Sequence, residues 1–259
     1  MSERLRNPRT ILVTGATGGI GRALALEYAG PGRTLILGGR DRERMEEVES
    51  LCRSRGAGVI PLRLELRDSG RLQESLIRID HQNPIDLAIV NAGITSHIGP
   101  DGEGESWPRI EAVIDINLKG ALATVTPLVE RMRARGSGQI ALVSSLSAWF
   151  GLPLTPAYCA SKAGLKAYGE ALRGWLAPRG VSVNVILPGF VESAMSRQFP
   201  GPRPFLMSPE EAAARIRRGL ERDRARIAFP FPLAAGMWAL ALLPAAAALR
   251  ILKRLNYTL

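Results

Sequence analysis

Tyr158 and Lys162 stand four residues apart in Pro156-Ala157-Tyr158-Cys159-Ala160-Ser161-Lys162, a stretch that begins like a helix with proline at its head. At ~100° per residue the two side chains are about 40° apart, one turn above the other. A phenol beside an ammonium ion has a direct chemical meaning. An unperturbed tyrosine titrates near ~10, too high for acid–base work at neutral pH. A neighbouring positive charge favours the phenolate and lowers that value. Ser145, thirteen residues upstream, adds a hydroxyl that can polarise a carbonyl or hold an alcohol oxygen. Such a trio moves a proton on or off an oxygen atom.

The pair alone is a weak signal, because Tyr and Lys at this spacing are common on ordinary helices. Composition strengthens it. The chain has 34 Lys and Arg, of which only Lys119, Lys162, Lys166 and Lys253 are lysines. A compact ammonium therefore stands where a phenol would be tuned, in a chain that otherwise uses guanidinium, and the two are not equivalent. Lys166, one turn further on, has no evident role in the sequence.

The elements that must position these groups alternate. Thr10–Thr14 is an apolar run. Gly15-Ala16-Thr17-Gly18-Gly19-Ile20-Gly21 follows, and then a helical pattern. Strand, glycine turn and helix form the first half of a dinucleotide fold. Gly15 permits the tight turn. Gly18 and Gly19 leave room for a pyrophosphate at the helix N-terminus, and Gly21 lets the helix lie close to the sheet. The strand Thr34–Leu37 ends at Gly38-Gly39-Arg40. An acid there would accept from a ribose 2′-hydroxyl, whereas Arg40 suits a 2′-phosphate, so NADP(H) is favoured over NAD(H). The plainer alternative is that Arg40 only opens the next helix. Further strands are expected at 58–64, 84–90, 139–143 and 181–187, with helices between them. Glu65-Leu66, Asn91-Ala92-Gly93, Ser145 and Pro188-Gly189 fall at strand ends. Such alternation predicts an α/β fold, a Rossmann-type doubly wound parallel sheet in a single domain, with its ligands at the strand carboxyl ends.

These motifs together resemble the short-chain dehydrogenase/reductase family in its compact single-domain branch. The resemblance covers about residues 10–190. It rests on Thr14-Gly15-x3-Gly19-Ile20-Gly21, Asn91-Ala92-Gly93, Asn117, Ser145, Tyr158-x3-Lys162 and Pro188-Gly189. It implies Tyr158 as acid–base group and Lys162 lowering its pKa and holding the nicotinamide ribose. It also implies Ser145 on the substrate oxygen and Asn117 holding a water in a proton relay. Cofactor contacts are implied at Gly15, Thr17, Gly18, Gly19, Ile20, Gly21, Arg40, Glu65, Leu66, Asn91, Ala92, Gly93, Tyr158, Lys162, Pro188, Gly189 and Val191, with a ketone and a secondary alcohol interconverted. A homodimer through the helices of Asn117 and Tyr158 is also implied. Glu65 stands where relatives often have Asp. Gly18 stands where NADP-preferring relatives often have Arg. The C-terminal region lacks the usual strand followed by Asp-Gly-Gly, and has Arg226-Ile227-Ala228-Phe229-Pro230 instead. Two other classes stay open: a non-catalytic nucleotide sensor or scaffold, and a sugar-nucleotide epimerase.

Residues 190–224 are expected to include the substrate lid, with Pro200, Pro202, Pro204, Phe199, Phe205, Leu206 and Met207. Trp149, Phe150, Leu152 and Leu154 can line a pocket for a small apolar carbonyl or alcohol substrate. Residues 230–259 form an apolar tail, uncharged over Leu233–Leu249, broken at Pro244 and basic at its end. It can dock on the body, form an oligomer contact or make a peripheral membrane contact.

At 259 residues and 46% hydrophobic, the chain can bury a sizeable core. Two cysteines exclude a disulfide framework, and His81 and His97 are too far apart to suggest a metal site. The net charge of +10 comes from arginines interleaved with acids, which argues against a nucleic-acid partner. A charged start without a secretory pattern leads to the expectation of a cytoplasmic protein, with membrane association through the tail left open.

Overall fold

The structure is a computed structural model that describes residues 7–99 and 101–258. Seven strands form it: β1 Thr10–Thr14, β2 Thr34–Gly39, β3 Gly58–Arg63, β4 Leu87–Val90, β5 Gly138–Val143, β6 Val181–Pro188 and β7 Arg226–Phe229. All pair in parallel, in the order β3-β2-β1-β4-β5-β6-β7. The helices are α1 Gly19–Tyr28, α2 Arg42–Ser54, α3 Ser69–Gln82, α4 Trp107–Arg135, α5 Pro156–Leu176, α6 Ala194–Arg197, α7 Pro209–Glu221, α8 Phe231–Leu242 and α9 Ala245–Arg254. Strand order reverses between β1 and β4, which opens a crevice over their carboxyl ends.

Strands buried on both faces need apolar runs, and Ile11-Leu12-Val13 of β1 and Ile140–Val143 of β5 supply them. Ile11 and Val13 face a core closed by Leu24, Val48 and Ile216 from α1, α2 and α7. Leu12 faces the opposite core, closed by Leu76, Leu128 and Leu165 from α3, α4 and α5. Helix α4 is long and apolar enough by composition to cross a membrane, but it packs on the sheet as a core helix. Its turn Asp115–Lys119 is π-helical, and Asn117 lies inside it.

The C-terminal third departs from the sequence reading in two places. The strand expected to be missing is present: Arg226–Phe229 pairs with β6 as an edge strand. It is four residues long, begins with an exposed arginine and runs into proline, features tolerated at a sheet edge and easily read as loop. The region 190–224 expected to include the lid also divides in two. The segment 190–208 carries the short α6 and is pinned at its base by a bridge between Val191 and Met207. Helix α7 instead packs on the sheet through Ala212, Ala213, Ile216 and Leu220.

The tail docks on the body. Ala234, Met237, Leu240, Ala248, Leu252 and Tyr257 are buried in a third cluster with Leu146, Val185 and Leu187. Trp149 and Phe150, partly buried, pack against that cluster. The break between α8 and α9 falls at Leu243-Pro244, as the proline requires.

Candidate active site

The glycine turn is built by close approach. Gly15 has φ +69°, and a Cβ there would lie 2.9 Å from the Ala92 Cα. A Cβ on Gly21 would lie 2.0 Å from the Gly15 carbonyl oxygen, so helix α1 can start where it does only with glycine at that position. A Cβ on Gly18 would meet only the Gly15 oxygen, at 3.5 Å, and no side chain caps the N-terminus of α1. That backbone is open to a phosphate group, so the cradle fits a dinucleotide. Gly19 differs from the expectation that it leaves phosphate room. A Cβ there would lie 2.9 Å from the Glu192 carbonyl oxygen, so the turn touches the base of the lid.

Thr14 fastens the two sides of the crevice. Its Oγ1 accepts from the backbone N–H of Asn91 at 2.9 Å and of Ala92 at 3.1 Å. The Asn91 amide donates back to the Thr14 carbonyl at 3.0 Å. At the end of β2, a side chain on Gly39 would run into the Met45 terminus at 2.4 Å and into Thr17 at 3.2 Å. Arg40 is exposed and makes no hydrogen bond or ion pair among the described residues. Arg22, Arg44 and Arg67 line the same end. Two of these are paired, Arg22 with Glu47 at 2.8 Å and Arg44 with Asp41 at 3.3 Å. Glu65 is ion-paired with Arg63 at 3.2 Å and faces the crevice beside Leu66.

Tyr158 and Lys162 share one face of α5, as their spacing predicts. The Lys162 Nζ donates to the Val143 carbonyl at 2.9 Å and lies 5.7 Å from the centre of the Tyr158 ring. Ser144 anchors the same turn, its Oγ donating to the Lys162 carbonyl at 2.7 Å. The Ser145 Oγ accepts from the Ser147 N–H at 3.2 Å and the Ser147 Oγ at 3.0 Å. Its own proton is left for the Tyr158 hydroxyl or a substrate oxygen.

The acidities run against the expectation. Burial pushes the Tyr158 hydroxyl up to about 12, with the Ser145 hydrogen bond pulling the other way. Burial pushes Lys162 down to about 8. Desolvation disfavours both charged forms, and the ammonium sits over the ring with a carbonyl as its partner. At neutral pH Tyr158 therefore holds its proton.

Asn117 is fully buried. Its Oδ1 accepts from the Ile94 N–H at 2.8 Å, and its Nδ2 donates to the Ile94 carbonyl at 2.9 Å and the Ser161 Oγ at 3.0 Å. The side chain clamps the loop after β4 to α4 and α5, so its amide protons are engaged with protein rather than with a water. Gly93 fits beside it, a Cβ there falling 3.0 Å from the Asn117 Oδ1.

One crevice of about 1460 Å³ is lined by every residue expected to bind cofactor or act in catalysis except Gly21 and Asn117, which sit just behind its wall. Leu152, Phe199 and Phe205 line it as expected. Leu154 is buried, and Met207 belongs to the sheet core. The tail supplies a wall that sequence reading missed: Leu233, Met237, Leu240, Leu252 and Tyr257. The Tyr257 ring meets Phe199 of the lid at 6.1 Å, and Phe199 meets Phe190 at 5.2 Å. Glu105 was also missed. Its carboxylate accepts from the Ala157 N–H at 2.8 Å and from the Ser96 hydroxyl, capping α5 one residue before Tyr158.

The short chain dehydrogenase family profile matches residues 9–202. An uncharacterized oxidoreductase of Myxococcus xanthus is 35% identical over 87% of this chain and 89% of its own. A 3-oxoacyl-acyl-carrier-protein reductase of Thermotoga maritima is 32% identical over 74% of this chain and 78% of its own. A short-chain dehydrogenase from Sphingobium yanoikuyae, solved in complex with NADPH, superposes with a TM-score of 0.80 at 25% identity, covering 94% of this chain and 95% of that one. With these matches and the Rossmann-type sheet, the chain belongs to the short-chain dehydrogenase/reductase family. It is an NAD(P)-dependent oxidoreductase acting on a CH–OH group.

Proposed function

We propose that the protein is a cytoplasmic NADPH-dependent reductase that converts an apolar ketone to a secondary alcohol. The observation that carries this is the continuous crevice, with unpaired Arg40 at one end, protonated Tyr158 in the middle and apolar walls at the other. The NADPH bound in the Sphingobium relative and the acyl ketone named for the Thermotoga relative agree with it.

The glycine turn would hold the pyrophosphate, Arg40 the 2′-phosphate, and Lys162 with Asn91–Gly93 the nicotinamide half. When bound, the cofactor supplies the hydride. The rest falls to the chain. Ser145 donates a hydrogen bond to the substrate oxygen and stabilises the charge that develops there. Tyr158 delivers its hydroxyl proton to that oxygen. The lid and tail exclude water around the reacting carbon.

The test is NADPH and NADH oxidation across a ketone panel, with calorimetry of both cofactors. NADPH should bind more tightly, and Arg40→Ala should remove about 1.5–3 kcal/mol of the preference. Equal affinities in the wild type would overturn the cofactor reading. A homodimer through α4 and α5 belongs to the same reading, since those helices expose Trp107 and Trp175. Sedimentation equilibrium giving a single chain would remove it.

A further inference from the structure

Helix α8 carries no polar side chain, its sequence being FPLAAGMWALAL. Its buried residues are Ala234, Met237 and Leu240, on one face. The outward side of α8 shows Phe231 at 81%, Trp238 at 54% and Leu242 at 65% exposure, and Leu243 at the bend and Leu249, Ile251 and Leu255 beyond it are exposed as well. Exposed apolar surface of this extent marks an interaction site.

The charge beside it has one sign. Between Arg224 and Leu259 there are five basic residues and no acidic one. Arg250, Lys253 and Arg254 make no ion pair among the described residues. A second copy seated here would bring the same unpaired cations to the contact, with no acid in the segment to meet them. An anionic surface meets them directly. Twelve helical residues reach about 18 Å, short of the ~30 Å hydrocarbon core, so α8 can lie in an interface but not cross one. Leu243, Ile251 and Leu255 are exposed and also line the crevice. The apolar end of the crevice thus opens on the same face.

We propose that the outer face of α8 and α9 is a docking surface for an anionic lipid bilayer, which turns the apolar end of the crevice toward the lipid. The substrate class then served is an apolar carbonyl compound dissolved in the membrane, a clause that rests on the reductase reading above.

The experiment uses the full chain and vesicles of phosphatidylcholine with and without phosphatidylserine. Co-sedimentation should require the anionic lipid at low salt and fade as salt rises, since screening shortens the attraction. Arg250→Gln, Lys253→Gln and Arg254→Gln together should weaken binding on the order of a hundredfold. Trp238→Asp with Leu242→Asp should abolish it while leaving the melting temperature unchanged, because both side chains face outward. Brominated lipid should quench tryptophan fluorescence in the wild type and not in Trp238→Phe. Absence of anionic-vesicle binding at low salt would overturn the proposal, as would binding undiminished in these variants. So would a dimer in sedimentation velocity that Trp238→Asp splits while vesicle binding persists unchanged. None of these readouts needs turnover, so a failure here is distinct from a failure of the ketone assay.

Discussion

Tyr158 keeps its proton because its hydroxyl is desolvated, and Lys162 pays for the same burial with a lowered pKa. Tyr158→Phe removes the group proposed to act on substrate oxygen and leaves the proposed phosphate cradle intact. It should cut kcat at least a hundredfold with NADPH affinity nearly unchanged; a variant keeping a tenth of wild-type kcat would refute the proton-donor role. Lys162 gives a second prediction, on stability. Its folded pKa of about 8 lies below the unfolded value of 10.5, so between these the unfolded chain binds more protons and this contribution to stability rises with pH. Below about 8 the full penalty for a buried ammonium applies. Lys162→Met should therefore raise the pH 7 melting temperature by roughly 2–6 °C, after allowing for the lost bond to Val143, while activity disappears. The gap to wild type should narrow from pH 8 to 10. Melts at these pH values would show it, and a gap that widens would contradict the sign.

At the scale of elements, α5 has proline at its head and a Thr155 that makes no side-chain cap. The cap comes from Glu105, 52 residues away in sequence from the Ala157 it bonds. Losing it should destabilise the chain by about 1–2 kcal/mol and let the first turn of α5 fray where Tyr158 sits. Glu105→Ala should lower kcat several-fold with cofactor KM held, and Glu105→Gln should recover part of both; an unchanged kcat would remove the positioning role. What could be read from the sequence follows the same division. The glycine turn, the Tyr158–Lys162 face and the start of α5 are local patterns, written in residues that touch their near neighbours. Glu105 is one acid among many until the fold brings it to Ala157. Lys166 pairs with Glu170 one turn on, at 3.0 Å, a local pattern that was overlooked; what no local pattern shows is that Arg226 from β7 holds the same carboxylate at 2.6 Å. β7 was hidden because an edge strand needs neither length nor alternation. The rise in the Tyr158 pKa was missed because spacing shows that a cation is near but not how dry the site is.

On the scale of the whole molecule, the tail is both wall and core. Removing it after Phe231 strips Met237, Leu240, Leu252 and Tyr257 from their buried places and uncovers Leu146, Val185 and Leu187. Buried side chains of this size are worth roughly 1.5–3 kcal/mol each. The truncated chain should melt at least about 10 °C lower, and calorimetric scans of the two forms would reveal it; an unchanged melt would mean that the tail only rests on the body. The lid is tied to the opposite end of the chain as well. Gly19 of the phosphate turn presses on the Glu192 carbonyl with no room for a methyl group between them. If the turn holds a phosphate and the segment covers a substrate, as proposed, a phosphate that stiffened the turn would brace the lid, and a substrate that drew the lid down would brace the turn. Reciprocity then requires each ligand to raise the affinity for the other by the same factor.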